Sequence, residues 1–177
     1  MNLKEQLITS YTTSENATDN PHLLKLRKEA IGIFKEKGFP TIKDEEWKYT
    51  NLRDILNSSY EVFSKNNSVD KTTVENHLLQ DLDSYTMVFV NGIFSSDFST
   101  INEEDFTVTH LASALKNTRY QEIISKHLGS VAPKEDTLSA LNTSYTKEGL
   151  FVHIPKGKIV EKVIQVLYLY TENTFNQ

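Results

Sequence analysis

Histidines are the side chains in this sequence best suited to bind a metal or to transfer a proton. The five of them are His22, His77, His110, His127 and His153. His77 and Asp81 lie four residues apart in a segment predicted to be helical, so both side chains would share one face and offer two metal ligands. A solvated helix surface is the simpler interpretation of this pair. We therefore predict no metal site there.

Two acidic clusters could hold a hard cation, which prefers carboxylate oxygens. They are Asp44–Glu46 and Glu103–Asp105. Acidic residues are also favoured where helices begin, because they interact well with the positive end of the helix dipole. That structural role explains both clusters, and we predict that neither binds a metal.

Residues 154–158 read IPKGK and contain a Gly-Lys pair. They lack the upstream glycine and the following Ser or Thr of a phosphate-binding loop, so a turn between strands is the better interpretation. No serine lies in a Gly-x-Ser-x-Gly elbow, and no nucleophile has a base beside it. The sequence thus nominates no catalytic, cofactor-binding or metal-binding residue, and we do not expect an enzyme.

The charge balance disfavours nucleic acid and membranes as partners. The 19 Lys and Arg residues against 24 Asp and Glu residues leave a net charge of −5. Phosphate backbones and anionic lipid surfaces are bound mainly by basic residues. We therefore expect no nucleic-acid partner and no membrane partner.

The chain has no cysteine, which excludes disulfides and thiolate chemistry within its 177 residues. The first residues, MNLKE, lack the basic start and apolar core of a signal peptide. No apolar run approaches the ~20 residues of a membrane-spanning helix. A cytoplasmic protein is expected, and 38% hydrophobic residues are enough for a folded core.

Two helices are predicted at the N-terminus. Apolar residues at helical spacing indicate a helix over residues 2–13. A second helix is predicted over residues 21–37, because Asn20 can cap its first turn, Pro21 suits that turn and Gly38 can close its end.

Shorter elements follow. We predict a structured loop over 38–52, a helix capped by Asn51 that runs to Leu56, a strand over 60–63 and a helix over 72–80. Residues 86–90 are predicted to form a strand, and Asn91-Gly92 is a strong signal for a two-residue hairpin turn into a return strand from Ile93. The remaining predictions are a strand over 107–111 and helices over 111–115, 120–128 and 136–142.

The last residues are predicted to be strands, over 150–154 and 159–170, joined by a turn at 155–157. An open sheet edge leaves backbone groups unpaired. We therefore expect these strands to begin a larger sheet that has been cut at the end of the chain.

Three stretches resemble a known family. Residues 38–52 read GFPTIKDEEWKYTNL and resemble the GFPT-x-x-x-E-x-W-[KR]-YT-x-L pattern of SufD proteins in the SufB/SufD family. Residues 141–145 and 148–157 resemble that family's LNTA…DG-x-x-x-x-IP-x-G stretch, and residues 88–92 match its VFVNG element. Ser144 stands where Ala is usual, and Val163 stands where Pro is expected.

The resemblance implies an α+β fold, in which an N-terminal helical and mixed domain leads into the first strands of a truncated right-handed parallel β-helix. By that pattern, residues 1–135 form the N-terminal domain and residues 136–177 begin the β-helix core. The implied function is a non-catalytic scaffold subunit in iron–sulfur cluster assembly, with a SufB-type paralogue and a SufC-type ABC ATPase as partners. Their contacts would lie beyond residue 177, and the wider complex would handle the cluster and ATP.

Trp47 and Tyr49 in the first stretch have two interpretations. The two rings can cover the preceding helix as part of the core, or they can form a contact surface for another protein. Burial of the Trp47 ring predicts a loss of roughly 3–5 kcal/mol in Trp47→Ala.

Two other functions remain open. A carbohydrate-active β-helix enzyme would need paired carboxylates on one sheet face, but the predicted strands over 150–170 offer Glu161 alone. A peptide-binding module would use the open sheet edge for strand addition.

Overall fold

The computed structural model describes residues 2–13, 20–58, 60, 68–102, 104, 106–133 and 135–171. It confirms the expected mixed α+β class. The helices are α1 (Leu3–Thr13), α2 (Pro21–Lys37), α3 (Arg53–Asn57), α4 (Lys71–His77), α5 (Leu111–Lys116), α6 (Thr118–His127) and α7 (Thr137–Tyr145). The strands are β1 (Ser84–Val90), β2 (Ile93–Phe94), β3 (Thr107–His110), β4 (Leu150–His153) and β5 (Val163–Leu169).

The chain divides into two compact units. The first comprises residues 1–62, 119–147 and 175–177, and the second comprises residues 63–118 and 148–174. The predicted division of the whole protein into domains at residue 135 stays a prediction.

Helix α2 is the centre of the first unit. The Asn20 side chain accepts a hydrogen bond from the Leu23 amide at 3.0 Å, and Pro21 occupies the first turn, as predicted. Gly38 closes the helix with φ of 74°. The helix buries one face, and its Ile31 and Phe34 form a core cluster with Tyr11 of α1. Partly buried residues packed against this cluster include Phe39 and Leu141.

Arg27 is the charged member of this buried face and is only 1% exposed. Its Nε donates to the Ser144 carbonyl of α7 at 2.8 Å, and its guanidinium lies 5.8 Å from the centre of the Tyr11 ring. Burial lowers the pKa of Arg27 from its ordinary value. These contacts tie α1, α2 and α7 together.

The second unit contains a three-stranded sheet in the order β2-β1-β5 and a two-stranded sheet of β3 and β4. Strand β1 pairs with β2 in antiparallel fashion through the Asn91-Gly92 turn, and both turn residues have positive φ, as that hairpin requires. Strands β1 and β5 are parallel and pair over seven residues, from Ser84 with Val163 to Val90 with Leu169.

Strand β1 is covered on both faces. One face carries Met87 and Phe89, which pack with Phe106 and Val108. The opposite face is formed by Val88 and Val90, which pack with Val74 of α4. Burial on both faces explains the nearly continuous apolar run over 87–90.

Most predicted elements are confirmed, with shifted ends. Helix α7 extends three residues past its predicted end at 142, and β5 is shorter than the predicted strand over 159–170. Of the strand predicted over 60–63, residues 61–63 lie outside the described residues.

Candidate functional site

The outer edge of β5 is the longest sheet edge that the described residues leave open. Strand β5 is the terminal strand of its sheet and runs for seven residues, whereas the other terminal strand, β2, has two. We call this feature the β5 edge. Backbone groups at such an edge can pair with a further strand.

The backbone of β5 alternates between its two sides. The Leu169 carbonyl accepts from the Asn91 amide at 2.8 Å, so Leu169 faces the β1 side. Because successive residues of a strand point their N–H and C=O groups to opposite sides, Val166 and Tyr168 direct theirs away from β1. These outward groups are the ones that a further strand would bind.

Side chains fix the position of β5 against β1 at both ends. At the start, Lys162 Nζ lies 2.7 Å from Asp83 Oδ1, and this carboxylate raises the pKa of Lys162. At the far end, Asn91 Oδ1 accepts from the Thr171 amide and Asn91 Nδ2 donates to Thr171 Oγ1, both at 3.0 Å. These contacts oppose a register slip of the parallel pair.

A third contact lies between the two ends. Gln165 accepts from the Leu79 amide at 2.6 Å and donates to Ser84 Oγ at 3.3 Å. The β5 edge is therefore a positioned surface, since its strand is held at three points along its length.

The edge is also apolar. Val163 is 51% exposed, Tyr168 is 49% exposed, and Tyr170, just past the end of the strand, is 63% exposed. The Tyr168 ring stacks on Phe89 with centroids 4.9 Å apart, and burial raises the pKa of Tyr168. Exposed aromatic and β-branched side chains beside an open strand favour pairing with a further strand.

His110 and Glu148 form a contact that sequence reasoning missed. Their Nδ1 and Oε2 atoms are 3.0 Å apart, and the His110 ring stacks on Phe94 with centroids 4.2 Å apart. The Leu111 amide also donates to the Gly149 carbonyl at 2.7 Å. The His110–Glu148 contact thus connects the end of β3 to the residues that precede β4. No short-range pattern could reveal it, because 38 residues separate the partners.

The structure does not bring His77 and Asp81 onto one helix face. Helix α4 ends at His77, whose Nδ1 lies 2.8 Å from the Thr73 carbonyl oxygen. Asp81 lies outside the helix with φ of 59°. The expectation of a shared face was wrong, because the helix stops earlier than residue 80.

The first acidic cluster has a structural role at Asp44. Its Oδ2 accepts from the Thr41 amide at 2.7 Å and from the Thr41 hydroxyl at 3.1 Å, and these hydrogen bonds lower the pKa of Asp44. In the second cluster, Glu103 and Asp105 lie outside the described residues. Within the described part of the chain, no three His, Asp or Glu side chains are grouped as metal ligands would be.

Trp47 and Tyr49 differ in burial. Trp47 ends a 3₁₀ turn over Glu45–Trp47 and is half-buried, but it belongs to none of the core clusters that the described residues form. Tyr49 is 91% exposed, so the expectation that it covers α2 was wrong. Phe39 does so instead, with its ring edge-to-face against Phe34 at 5.1 Å. The stretch therefore buries Phe39 against α2 and leaves Tyr49 on the surface.

None of the described helices is long and apolar enough to cross a membrane.

Comparison with known proteins gives a consistent family. Residues 1–166 match the family model described as the SufBD protein N-terminal region. An iron–sulfur cluster assembly SufBD family protein of Synechocystis sp. is 26% identical over 167 residues, which cover 94% of this chain and 35% of that protein. A second protein of that description, from Trieres chinensis, is 28% identical over 173 residues and is covered to 35% of its length. The chain therefore spans about a third of the length of these relatives.

Proposed function

The chain belongs to the SufBD family, and from that membership we propose that it is the N-terminal part of a SufD-type scaffold subunit in iron–sulfur cluster assembly, without catalytic chemistry of its own. The resemblance of residues 141–157 to the SufD pattern supports the choice of SufD over SufB. The names of the two relatives support a role in iron–sulfur cluster assembly, since both are described as iron–sulfur cluster assembly proteins. Cytoplasm is the proposed location.

The β5 edge carries this proposal. A long parallel strand pair is here fixed in register with its outer side open, which is where a further strand of the same polypeptide could add. Parallel strands stacked in register are also the repeating contact of a parallel β-helix. We propose that β5 lies in the first turns of a right-handed β-helix, which the missing two thirds of the relatives' length would complete.

The chain's composition is compatible with a supporting role. Iron–sulfur clusters are held mainly by cysteine thiolates, and these 177 residues contain none. The cluster and the ATP would be bound by other parts of the complex, which we propose to contain a SufB-type paralogue and a SufC-type ABC ATPase.

A paired pull-down tests the function. Tagged residues 1–177 and the tagged full-length protein would each be co-expressed with the SufB-type and SufC-type proteins of the same organism. We expect the full-length protein to capture both partners and residues 1–177 to capture neither. Failure of the full-length protein to capture either partner would remove the SufD assignment.

A proline at Val166 tests the proposed β-helix. Proline removes the outward N–H of Val166, so a further strand would lose a hydrogen bond, while the bonds to β1 on the other side remain. Val166→Thr is the matched control because it keeps the N–H and the β-branched shape. We expect Val166→Pro to lower the melting temperature of the full-length protein well below that of Val166→Thr. Equal melting temperatures would show that no strand is added at this edge.

A further inference from the structure

The hairpin turn between β1 and β2 contains a pair of residues that can change covalently without an enzyme. Asparagine is a thermolabile residue, and it reacts fastest before glycine, because glycine has no Cβ to hinder attack by its backbone nitrogen. Asn91-Gly92 is the single Asn-Gly pair of the sequence. Gly92 is exposed, and open space surrounds the position where its Cβ would be. Water and a solvent base can therefore reach the turn.

The reaction available to this pair is deamidation, and it balances with water as the only co-reactant. The Gly92 nitrogen forms a bond to Asn91 Cγ and loses its proton to solvent, while the bond from Cγ to Nδ2 breaks and Nδ2 leaves as ammonia. Water then opens the five-membered ring that results. Opening at the former side-chain carbonyl gives aspartate. Opening at the main-chain carbonyl gives isoaspartate, in which the main chain runs through Cβ and Cγ.

Two hydrogen bonds hold the amide that would react. Asn91 Oδ1 accepts from the Thr171 amide and Asn91 Nδ2 donates to Thr171 Oγ1, both at 3.0 Å. We call these two bonds the Thr171 contact. Nδ2, the atom that would leave, is thus bound, and Cγ is attached to two bound atoms. The amide cannot rotate toward the Gly92 nitrogen and release ammonia unless the Thr171 contact breaks.

We propose that Asn91 is a deamidation site that the Thr171 contact keeps unreactive. Thr171 lies two residues past the end of β5 at Leu169, whose carbonyl also accepts from the Asn91 backbone amide at 2.8 Å. Asn91 is therefore protected while this end of β5 is in place and becomes reactive when it separates from the turn. The proposal concerns the chemistry of the turn and is independent of the function proposed above.

The two products differ in their effect on the hairpin. Aspartate keeps one oxygen as an acceptor for the Thr171 amide, and its second oxygen can accept from the Thr171 hydroxyl. Isoaspartate adds one carbon to the main chain of a two-residue turn whose flanking residues, Val90 and Ile93, pair directly. That pairing cannot keep its geometry around a longer turn. We expect isoaspartate, but not aspartate, to loosen β2 from β1.

Peptide mapping by mass spectrometry tests the protection. The purified full-length protein is incubated in mildly alkaline buffer, and the deamidated fraction of the peptide that contains Asn91 is followed with time. The same protein unfolded in guanidinium chloride gives the unprotected rate. One ordinary hydrogen bond is worth a factor of about five in an equilibrium constant, so the two bonds of the Thr171 contact should slow deamidation roughly 20-fold or more.

Three variants separate the Thr171 contact from the general stability of the sheet. Thr171→Val removes the Oγ1 acceptor and keeps the β-branched shape, so deamidation of Asn91 should be about fivefold faster. Thr171→Ser keeps the hydroxyl and should react at the unchanged rate. Gln165→Ala is the matched control on β5, because it removes the hydrogen bonds to Leu79 and Ser84 and leaves the Thr171 contact in place. It should also react at the unchanged rate.

Three results would overturn the proposal. Equal rates in the folded and the unfolded protein, a comparison that needs no variant, would show that Asn91 is unprotected. A rate in Thr171→Val at or below that of the unchanged protein would show that the Thr171 contact does not hold the amide or that it promotes the attack. Equal acceleration in Gln165→Ala and Thr171→Val would assign the protection to the stability of β5 as a whole.

Discussion

Thr109 of β3 has a buried hydroxyl group. The residue is 1% exposed, and its Oγ1 has no hydrogen-bond partner among the described residues. An unsatisfied buried hydroxyl costs free energy, so an apolar group of the same shape should be tolerated. We expect Thr109→Val to leave the free energy of unfolding unchanged or to raise it by up to ~1 kcal/mol in urea denaturation.

Ser144 is the control for this substitution. It is 0% exposed, and its Oγ donates to the Leu141 carbonyl at 2.7 Å. Ser144→Ala should therefore cost about 1 kcal/mol. A larger loss in Thr109→Val than in Ser144→Ala would mean that the Thr109 hydroxyl has a partner in solution.

Tyr145 gives the first unit a dependence on alkaline pH. Burial raises its pKa from 10.0 to about 12, and its hydroxyl donates to the Leu7 carbonyl. Between pH 10 and about 12, the folded protein keeps the Tyr145 proton and the unfolded chain loses it. The contribution of Tyr145 to the free energy of unfolding is therefore complete below pH 10 and is lost as the pH rises to about 12.

The matching experiment is thermal denaturation across that pH range. We expect the stability of Tyr145→Phe to fall less steeply between pH 10 and 12 than that of the unchanged chain. Parallel curves for Tyr145→Phe and the unchanged chain would contradict the raised pKa.

Among the elements, those defined by local chemistry were predictable and those defined by distant pairing were not. The ends of α2 follow from Asn20 and Gly38, and the β1–β2 hairpin follows from Asn91-Gly92. The parallel pairing of β1 with β5 joins residues about eighty positions apart, and no local pattern specifies that choice. A strand at the open edge of a larger sheet was therefore expected over these residues, but its pairing with β1 came from the structure.

Asn91 has a second role that its turn position does not reveal. Its φ of 50° suits the hairpin, and its side chain also makes both hydrogen bonds to Thr171. Asn91→Gly keeps the turn and removes these bonds, so we expect a loss of about 1–3 kcal/mol in the free energy of unfolding. Thr171→Val, which removes one of the two bonds, should cost less. Equal stability of Asn91→Gly and the unchanged chain would exclude the contact as a stabilising one.

At the scale of the whole molecule, the β5 edge is proposed as a contact surface because apolar side chains beside it stay exposed in residues 1–177. The sequence identified the stretch that contains Tyr49 but not which of its rings is buried. That difference depends on Phe39, which packs against the α2 core and occupies the place expected for Tyr49. Side-chain burial of this kind is decided by tertiary packing, so neither composition nor spacing could assign it.

The β5 edge predicts how residues 1–177 behave when the rest of the protein is absent. An open apolar strand pairs with other copies of itself, and a lysine on such an edge opposes that association. We expect residues 1–177 to self-associate with rising concentration in sedimentation velocity experiments, and Val166→Lys to remain monomeric over the same range. Val131→Lys, at an exposed site far from β5 in sequence, should associate like the unchanged chain.

The full-length protein should show no concentration-dependent association if downstream strands cover the β5 edge. If Val166→Lys associates as strongly as the unchanged chain, the associating surface lies elsewhere. That result would weaken the proposal that further strands of the protein pair with β5.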